Sequence, residues 1–332
     1  MENFIPHPLL PTGQLQTMAG IFSGIPEMAR RTRYEYVSLP DGDRLLVTMD
    51  QASHDDGQRP VVVLMHGLGG SDASSYMLRH SYHLTKAGFP VVRVNHRGCG
   101  PAHLDKSREI YHSGRTGDLD TTLRFIGERW PGRKTAVIGY SFSGNLLLRY
   151  LGAGTHAGEG VIAGMLPPPH VSQALAICPP IDLEFCSRTL ISRRNWHIHR
   201  YLTLHITKQA RAREARRQRG ESIHLPHHLD LRTFDQIYTA PQAGFASRED
   251  YYAQCSAKGV LSKIIIPTTI LAAEDDPIVP GVIFKDAKLA AQVRLRLSPG
   301  GGHMGFISRH VTPLGDRRWL DAQIMAWASG TV

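Results

Sequence analysis

The chain has 332 residues, of which 42% are hydrophobic, a formal charge of +9 and four cysteines. That length and composition fit a globular protein with one large core or two modest ones, and exclude disordered, fibrous and collagen-like classes. No run approaches the ~18 uninterrupted apolar residues of a membrane-spanning helix, and the opening MENFIPHPLLP lacks the basic start and apolar stretch of a secretory signal. Cys99, Cys178, Cys186 and Cys255 form no CxxC pair and are too scattered for a disulfide framework, so a reduced, cytoplasmic setting is expected. The positive charge is local: residues 188–219 hold ten Lys or Arg against the single acid Glu214, and the rest of the chain sums to zero.

After an irregular start, YEYVSL (34–39) and RLLVTMD (44–50) flank the turn sequence PDGD and predict an antiparallel hairpin at a sheet edge. From residue 61 short continuous apolar runs follow: VVVLM (61–65), FPVVRVN (89–95), TAVIGY (135–140), ALAIC (174–178), TTILAA (268–273) and VRLRL (293–297). Such runs suit strands buried on both faces of a parallel sheet. Segments such as 72–88 and 118–130 are long enough for crossover helices, giving the alternation of an open α/β sheet. From about 179 to 246 there is no good strand, only helix-like, Arg-rich sequence, which predicts a lid or cap insertion.

Gly139-Tyr140-Ser141-Phe142-Ser143-Gly144 stands between the apolar run TAVI and the helix-like NLLLRYLGA. Strand, tight turn, helix is the context of a nucleophile elbow, in which a strained turn exposes a serine hydroxyl and neighbours two residues away must be small. Gly139 is the usual glycine on one side, and Ser143 departs from it on the other. An ordinary capped strand-to-helix turn would read similarly.

A serine needs a base, and in this fold the acid and histidine follow it in the chain after later strands. Asp275 and Asp276 end the run TTILAAEDD, and His303 lies on the Gly-rich loop GGHMGF. Taken singly, these read as a turn acid and a loop histidine. In order, each beyond a different strand, they predict a Ser141, Asp276, His303 triad. Asp276 is preferred because it precedes Pro-Ile-Val-Pro, with Asp275 supporting the turn. His66-Gly67-Leu68-Gly69-Gly70 follows the first buried strand, and the amides of Leu68 and Phe142 are the expected oxyanion donors. The loop matches neither GxGxxG nor a GK[ST] phosphate loop.

With these residues assembled, the chain resembles the α/β hydrolases, and more narrowly the bacterial YheT-type hydrolases and their eukaryotic ABHD relatives. The match runs almost end to end through Leu15-Gln16-Thr17-Met18, Leu39-Pro40-Asp41-Gly42-Asp43, His96-Arg97-Gly98-Cys99, Tyr111-His112-Ser113-Gly114, Asp250-Tyr251-Tyr252, Cys255-Ser256 and residues 301–306. The resemblance implies a carboxylic-ester or lipid hydrolase acting on a small acyl ester without metal or organic cofactor, and in some relatives an acyltransferase. By position, Ser141 is then the nucleophile, His303 the base and acid, and Asp276 the group that orients it.

Cys99 is read as a packing residue and not a second nucleophile. His197, His199 and His205, or His224, His227 and His228, lack a metal-ligand motif such as HExxH. The basic stretch 188–219 is read as the solvated face of an amphipathic lid whose Leu190, Ile191, Trp196, Ile198, Tyr201, Leu202, Leu204 and Ile206 cover an acyl pocket. Contact with an anionic membrane surface is a second reading of it. A non-catalytic protein that docks through this lid, on membrane or nucleic acid, is the competing function, though no nucleic-acid partner is expected.

Overall fold

The computed structural model describes residues 3–21, 24, 32–101, 107–156, 164–215, 223 and 225–330. Eight strands form one sheet in the order β1-β2-β4-β3-β5-β6-β7-β8. They are β1 (Thr32–Ser38), β2 (Arg44–Asp50), β3 (Val61–Met65), β4 (Val91–Val94), β5 (Thr135–Tyr140), β6 (Val171–Ile177), β7 (Thr268–Ala273) and β8 (Val293–Ser298). β1 pairs with β2, and β2 with β4, antiparallel, so the expected hairpin occupies one edge. All other neighbours are parallel.

The helices are α1 (Gly13–Ile21), α2 (Ser75–Lys86), α3 (Thr116–Arg129), α4 (Phe142–Ala153), α5 (Leu183–Leu190), α6 (Trp196–Glu214), α7 (Leu231–Phe234), α8 (Ala240–Gln242), α9 (Arg248–Cys255) and α10 (Trp319–Ala328). The continuous apolar strands have a direct cause. Val61, Val63 and Met65 of β3 share a core with Leu119 and Leu123 of α3 and Leu146 of α4. Val62 and Leu64 share the opposite core with Met77 and Leu84 of α2 and Leu320 and Ile324 of α10. Both faces of the sheet are covered, so neither strand face tolerates polar alternation.

Between β6 and β7 the chain runs through α5 to α9 and forms no strand among the described residues, as the Arg-rich sequence predicts. α5 starts at Asp182, whose carboxylate caps the Phe185 amide at 3.0 Å. The C-terminal end of the basic stretch, 216–219, and His224 lie outside the described residues.

The irregular start expected of the N-terminus is instead interrupted by α1. Its sequence GQLQTMAGI has no apolar stripe, which is why helical periodicity does not announce it. The helix is selected by close approach: a Cβ on Gly13 would lie 1.8 Å from the Asp275 carbonyl oxygen.

Two motifs apart from Ser141, Asp276 and His303 act as struts. Arg97, 1% exposed, pairs with Asp118 through Nε at 2.8 Å and Nη2 at 2.5 Å, and through Nη1 with Asp41 at 2.6 Å and Asp43 at 3.1 Å. Burial alone would lower its pKa, but the Asp118 and Asp41 carboxylates outweigh burial and hold it above the usual arginine range. Asn145 of α4 donates to Ser113 Oγ at 2.7 Å and to the Cys255 carbonyl at 2.8 Å, and accepts from the Ala257 amide at 2.9 Å. The helix behind Ser141 is thereby tied to two distant loops.

Candidate active site

β5 ends at Tyr140 and α4 begins at Phe142, leaving Ser141 alone between them at φ 50° and ψ −114°. A non-glycine residue there is strained, and the surrounding backbone must over-determine it. The Ser141 amide donates to the Ile177 carbonyl at 2.7 Å. Tyr140 donates to His80 Nδ1 at 2.6 Å, and His80 Nε2 donates to buried Asp321 at 2.8 Å, which anchors the residue before the serine. Gly139 is required by sterics, since a Cβ there would lie 2.5 Å from the Ser143 carbonyl oxygen.

The Ser143 side chain has its own partners, which account for its departure from glycine. It donates to the His66 carbonyl and contacts His96 Nε2 at 2.6 Å. Because the hydroxyl proton goes to His66, His96 must donate through Nε2. His66 in turn accepts the His96 amide at Nε2, 3.2 Å, and donates from Nδ1 to the Gly67 carbonyl, 2.8 Å. Burial lowers the pKa of His66 to about 4 and that of His96 well below the usual value, so both rings are neutral. Three strand ends are stitched together next to the serine.

His303 Nε2 lies 2.8 Å from Ser141 Oγ, and His303 Nδ1 lies 2.7 Å from Asp276 Oδ2. A carboxylate accepts only, so Nδ1 carries the proton and Nε2 is left to accept from the serine. Asp276 is 3% exposed, and its other oxygen accepts the amides of Ile278 and Val279, each at 2.8 Å. Asp275 turns the other way and accepts the Gly302 amide at 2.9 Å; burial raises its pKa.

The Gly-rich loop after β3 approaches the same point: a Cβ on Gly67 would sit 3.4 Å from Ser141 Cβ. Gly67 donates its amide to Tyr76 Oη at 2.8 Å, Gly69 to Tyr111 Oη at 3.1 Å and Gly70 to the Gly67 carbonyl at 3.0 Å. The Leu68 amide is the one in this run not engaged in such a bond among the described residues, and the Phe142 amide is an open first-turn donor of α4. Both residues line a cavity of about 810 Å³ together with Ser141 and His303. Leu190, Ile198 and Leu202 line it from α5 and α6.

Sequence reasoning gave no role to several groups that hold this site. Thr17 of α1 accepts the His303 amide at 2.8 Å while donating to the Gly13 carbonyl at 2.6 Å. Gln16 accepts the Ile307 amide at 2.7 Å and donates to the Ile307 carbonyl at 3.1 Å. Gln209 of α6 donates to the Gly69 and Gly70 carbonyls, both at 3.3 Å, and accepts from Tyr111 at 3.2 Å. Leu15 to Met18 entered the sequence reading only as part of the family resemblance, and Gln209 carried no sequence signal.

Among the described residues, Cys178, Asp276 and His303 bring three possible metal ligands within 4.8 Å, as do His83, Asp316 and Asp321. In the first group Asp276 and His303 are committed to each other, and burial pushes the Cys178 thiol well up, so it stays protonated. Neither group includes His197, His199 or His205. All four cysteines are buried and none is in a disulfide; Cys99 lies 4% exposed beside the Arg97 carbonyl.

The model of the α/β hydrolase fold family matches residues 60–309. The chain belongs to the α/β hydrolase fold family. Within this family it is 34% identical over 337 residues to the Escherichia coli (strain K12) protein named "Putative esterase YheT", covering 98% of this chain and 92% of that one. It is 30% identical over 286 residues to phospholipase ABHD3 of Mus musculus, covering 83% of this chain and 66% of the relative. Medium-chain fatty acid ethyl ester synthase/esterase 2 of Saccharomyces cerevisiae (strain ATCC 204508 / S288c) is 26% identical over 86% of this chain and 64% of its own length. The α/β hydrolase architecture recurs in the Pyrococcus furiosus esterase Pf2001, which superimposes with a TM-score of 0.54 at 16% identity over 93% of this chain and 95% of that one. That last likeness is one of fold. Among the described residues, no helix is long and apolar enough to cross a membrane.

Proposed function

We propose that this protein cleaves carboxylic esters through an acyl-enzyme formed on Ser141. The observation that carries the reading is the unbroken path from Ser141 Oγ through His303 to Asp276, at 2.8 and 2.7 Å, opening on the 810 Å³ cavity. His303 Nε2 takes the serine proton as Oγ bonds to the acyl carbon, and buried Asp276 stabilises the imidazolium. The oxyanion of the tetrahedral intermediate accepts from the Leu68 and Phe142 amides. Collapse expels the alcohol, which receives the proton from His303. Water then repeats the sequence and releases the acid, returning Ser141. The names of the E. coli and mouse relatives support an ester as the bond attacked.

The whole chain acts as one α/β hydrolase domain, with residues 179–246 as a lid over the acyl pocket; Leu190, Ile198 and Leu202, which line the cavity, support this. Turnover of p-nitrophenyl esters of graded chain length tests the reading. Wild type should turn them over, and Ser141→Ala should lose nearly all activity; equal rates for the two proteins overturn it.

A second reading keeps the same acyl-enzyme and delivers the acyl group to an alcohol, as the yeast relative's name describes for that protein. Product analysis with ethanol present separates the two: ester exchange far above hydrolysis identifies a transferase.

A further inference from the structure

The basic stretch is not a charged face over an apolar one. Along α6 the outward positions follow helical spacing through Trp196, Arg200, Leu204, Lys208 and Arg211. Trp196 is 65% and Leu204 54% exposed, whereas Ile198, Ile206 and Ala210 point inward and are buried. Large apolar side chains therefore alternate with cations on the solvent side. Arg193 and Arg194, just before the helix, are exposed as well. Arg193, Arg194, Arg200 and Lys208 make no ion pair among the described residues. The one acid of the segment, Glu214, is buried against Arg213 at 2.7 Å and Tyr238 at 2.9 Å, so it does not offset the surface charge.

This stripe also has a fixed relation to the cavity. Tyr201, His205, Lys208 and Ala212, along its flank, line the same cavity as Ser141. A surface that met the stripe would meet the cavity mouth.

We propose that the exposed face of α6, with Arg193 and Arg194, docks this protein on the surface of a bilayer containing anionic lipids. Cations gain from the negative surface potential, roughly 1 kcal/mol for each Lys or Arg near the surface. Trp and Leu gain by entering the boundary between headgroups and acyl chains, where an indole is favoured. The same alternation is poorly matched to a nucleic-acid backbone, which rewards the cations and leaves Trp196 and Leu204 in water. A solvated lid face tolerates single exposed apolar side chains but gives no role to the alternation of Trp196 and Leu204 with unpaired cations beside the cavity. The bound orientation turns the cavity mouth toward the lipid. Docking does not depend on the ester chemistry of the site.

The test uses the full chain carrying Ser141→Ala, so that binding is read without turnover. Co-sedimentation is measured with phosphatidylcholine vesicles with and without phosphatidylglycerol. The expected result is binding to the anionic vesicles that weakens with salt. It should weaken roughly a hundredfold in Arg193→Gln/Arg194→Gln/Arg200→Gln, from about three lost surface cations, and fall clearly in Trp196→Ser/Leu204→Ser. These side chains are exposed, and circular dichroism confirms that each variant is folded. No binding to anionic vesicles overturns the proposal, as does binding that the Trp196 and Leu204 changes leave intact. Retardation of duplex DNA that the Arg changes abolish, without vesicle binding, overturns it in favour of a nucleic-acid face.

Discussion

The hydroxyl of Thr17 accepts the backbone amide of His303 at 2.8 Å, joining the first helix of the chain to a loop 286 residues away. The loop carries Gly301 and Gly302, both at positive φ, so it depends on external bonds for its shape. Thr17→Val removes that acceptor and keeps the shape. The expected result is a fall in kcat of roughly tenfold with KM little changed, since about 1.4 kcal/mol corresponds to a factor of ten. Steady-state kinetics on a soluble ester checks it, and a change confined to KM would place α1 in substrate binding instead.

Asp275 and Asp276 are neighbours with different hydrogen-bond partners, Gly302 for the first and His303 for the second. Asp276→Asn lets the imidazole take the wrong tautomer, so kcat should drop on the order of 10³- to 10⁴-fold with the fold intact. Asp275→Asn keeps an acceptor for the Gly302 amide and should cost less than about tenfold. Comparable losses in the two variants would contradict the separate roles.

Ser143→Ala leaves His96 Nε2 and the His66 carbonyl without the hydroxyl that joins them. A buried polar group so orphaned costs about 1–3 kcal/mol. Thermal unfolding should shift down by several degrees, while kcat stays within a few-fold because neither ring touches the reacting atoms. An unchanged Tm would show that the stitch does not stabilise the elbow.

Asp235 supplies a pH signature. Burial raises its pKa from 3.8 to about 6, against the opposing hydrogen bonds of Tyr252 and Thr239 and the charges of Arg248 and Arg232. Between pH of about 4 and about 6 the folded protein binds this proton and the unfolded chain has lost it, so its contribution to stability falls as pH rises through that window. Asp235→Asn removes the dependence. Its Tm should decline less than that of wild type over the window and be at least as high at neutral pH; a steeper decline in the variant would contradict the assignment.

The strands were legible because two covered sheet faces leave a plain trace: VVVLM and TAVIGY coincide with β3 and β5. The spacing of Ser141, Asp276 and His303 was legible through the chain order that their strands impose, and the structure brings all three together. α1 was not legible, because Gly13 is set by close approach to Asp275 and Gly20 by close approach to Met304 and Gly305, and neither by an apolar face. Gln209 was hidden for a similar reason: an amide on a charged helix acquires meaning only beside the Gly69 and Gly70 carbonyls. The sequence of 188–219 read as amphipathic, yet Trp196 and Leu204 lie on the outward side with the cations.

The central claim is that Ser141 forms the covalent acyl intermediate. Folded protein treated with a fluorophosphonate and analysed by intact mass and peptide mapping tests it directly. The account predicts a single adduct on Ser141, absent in Ser141→Ala and greatly slowed in His303→Ala. No adduct on folded protein, or an adduct that persists in Ser141→Ala, would contradict it.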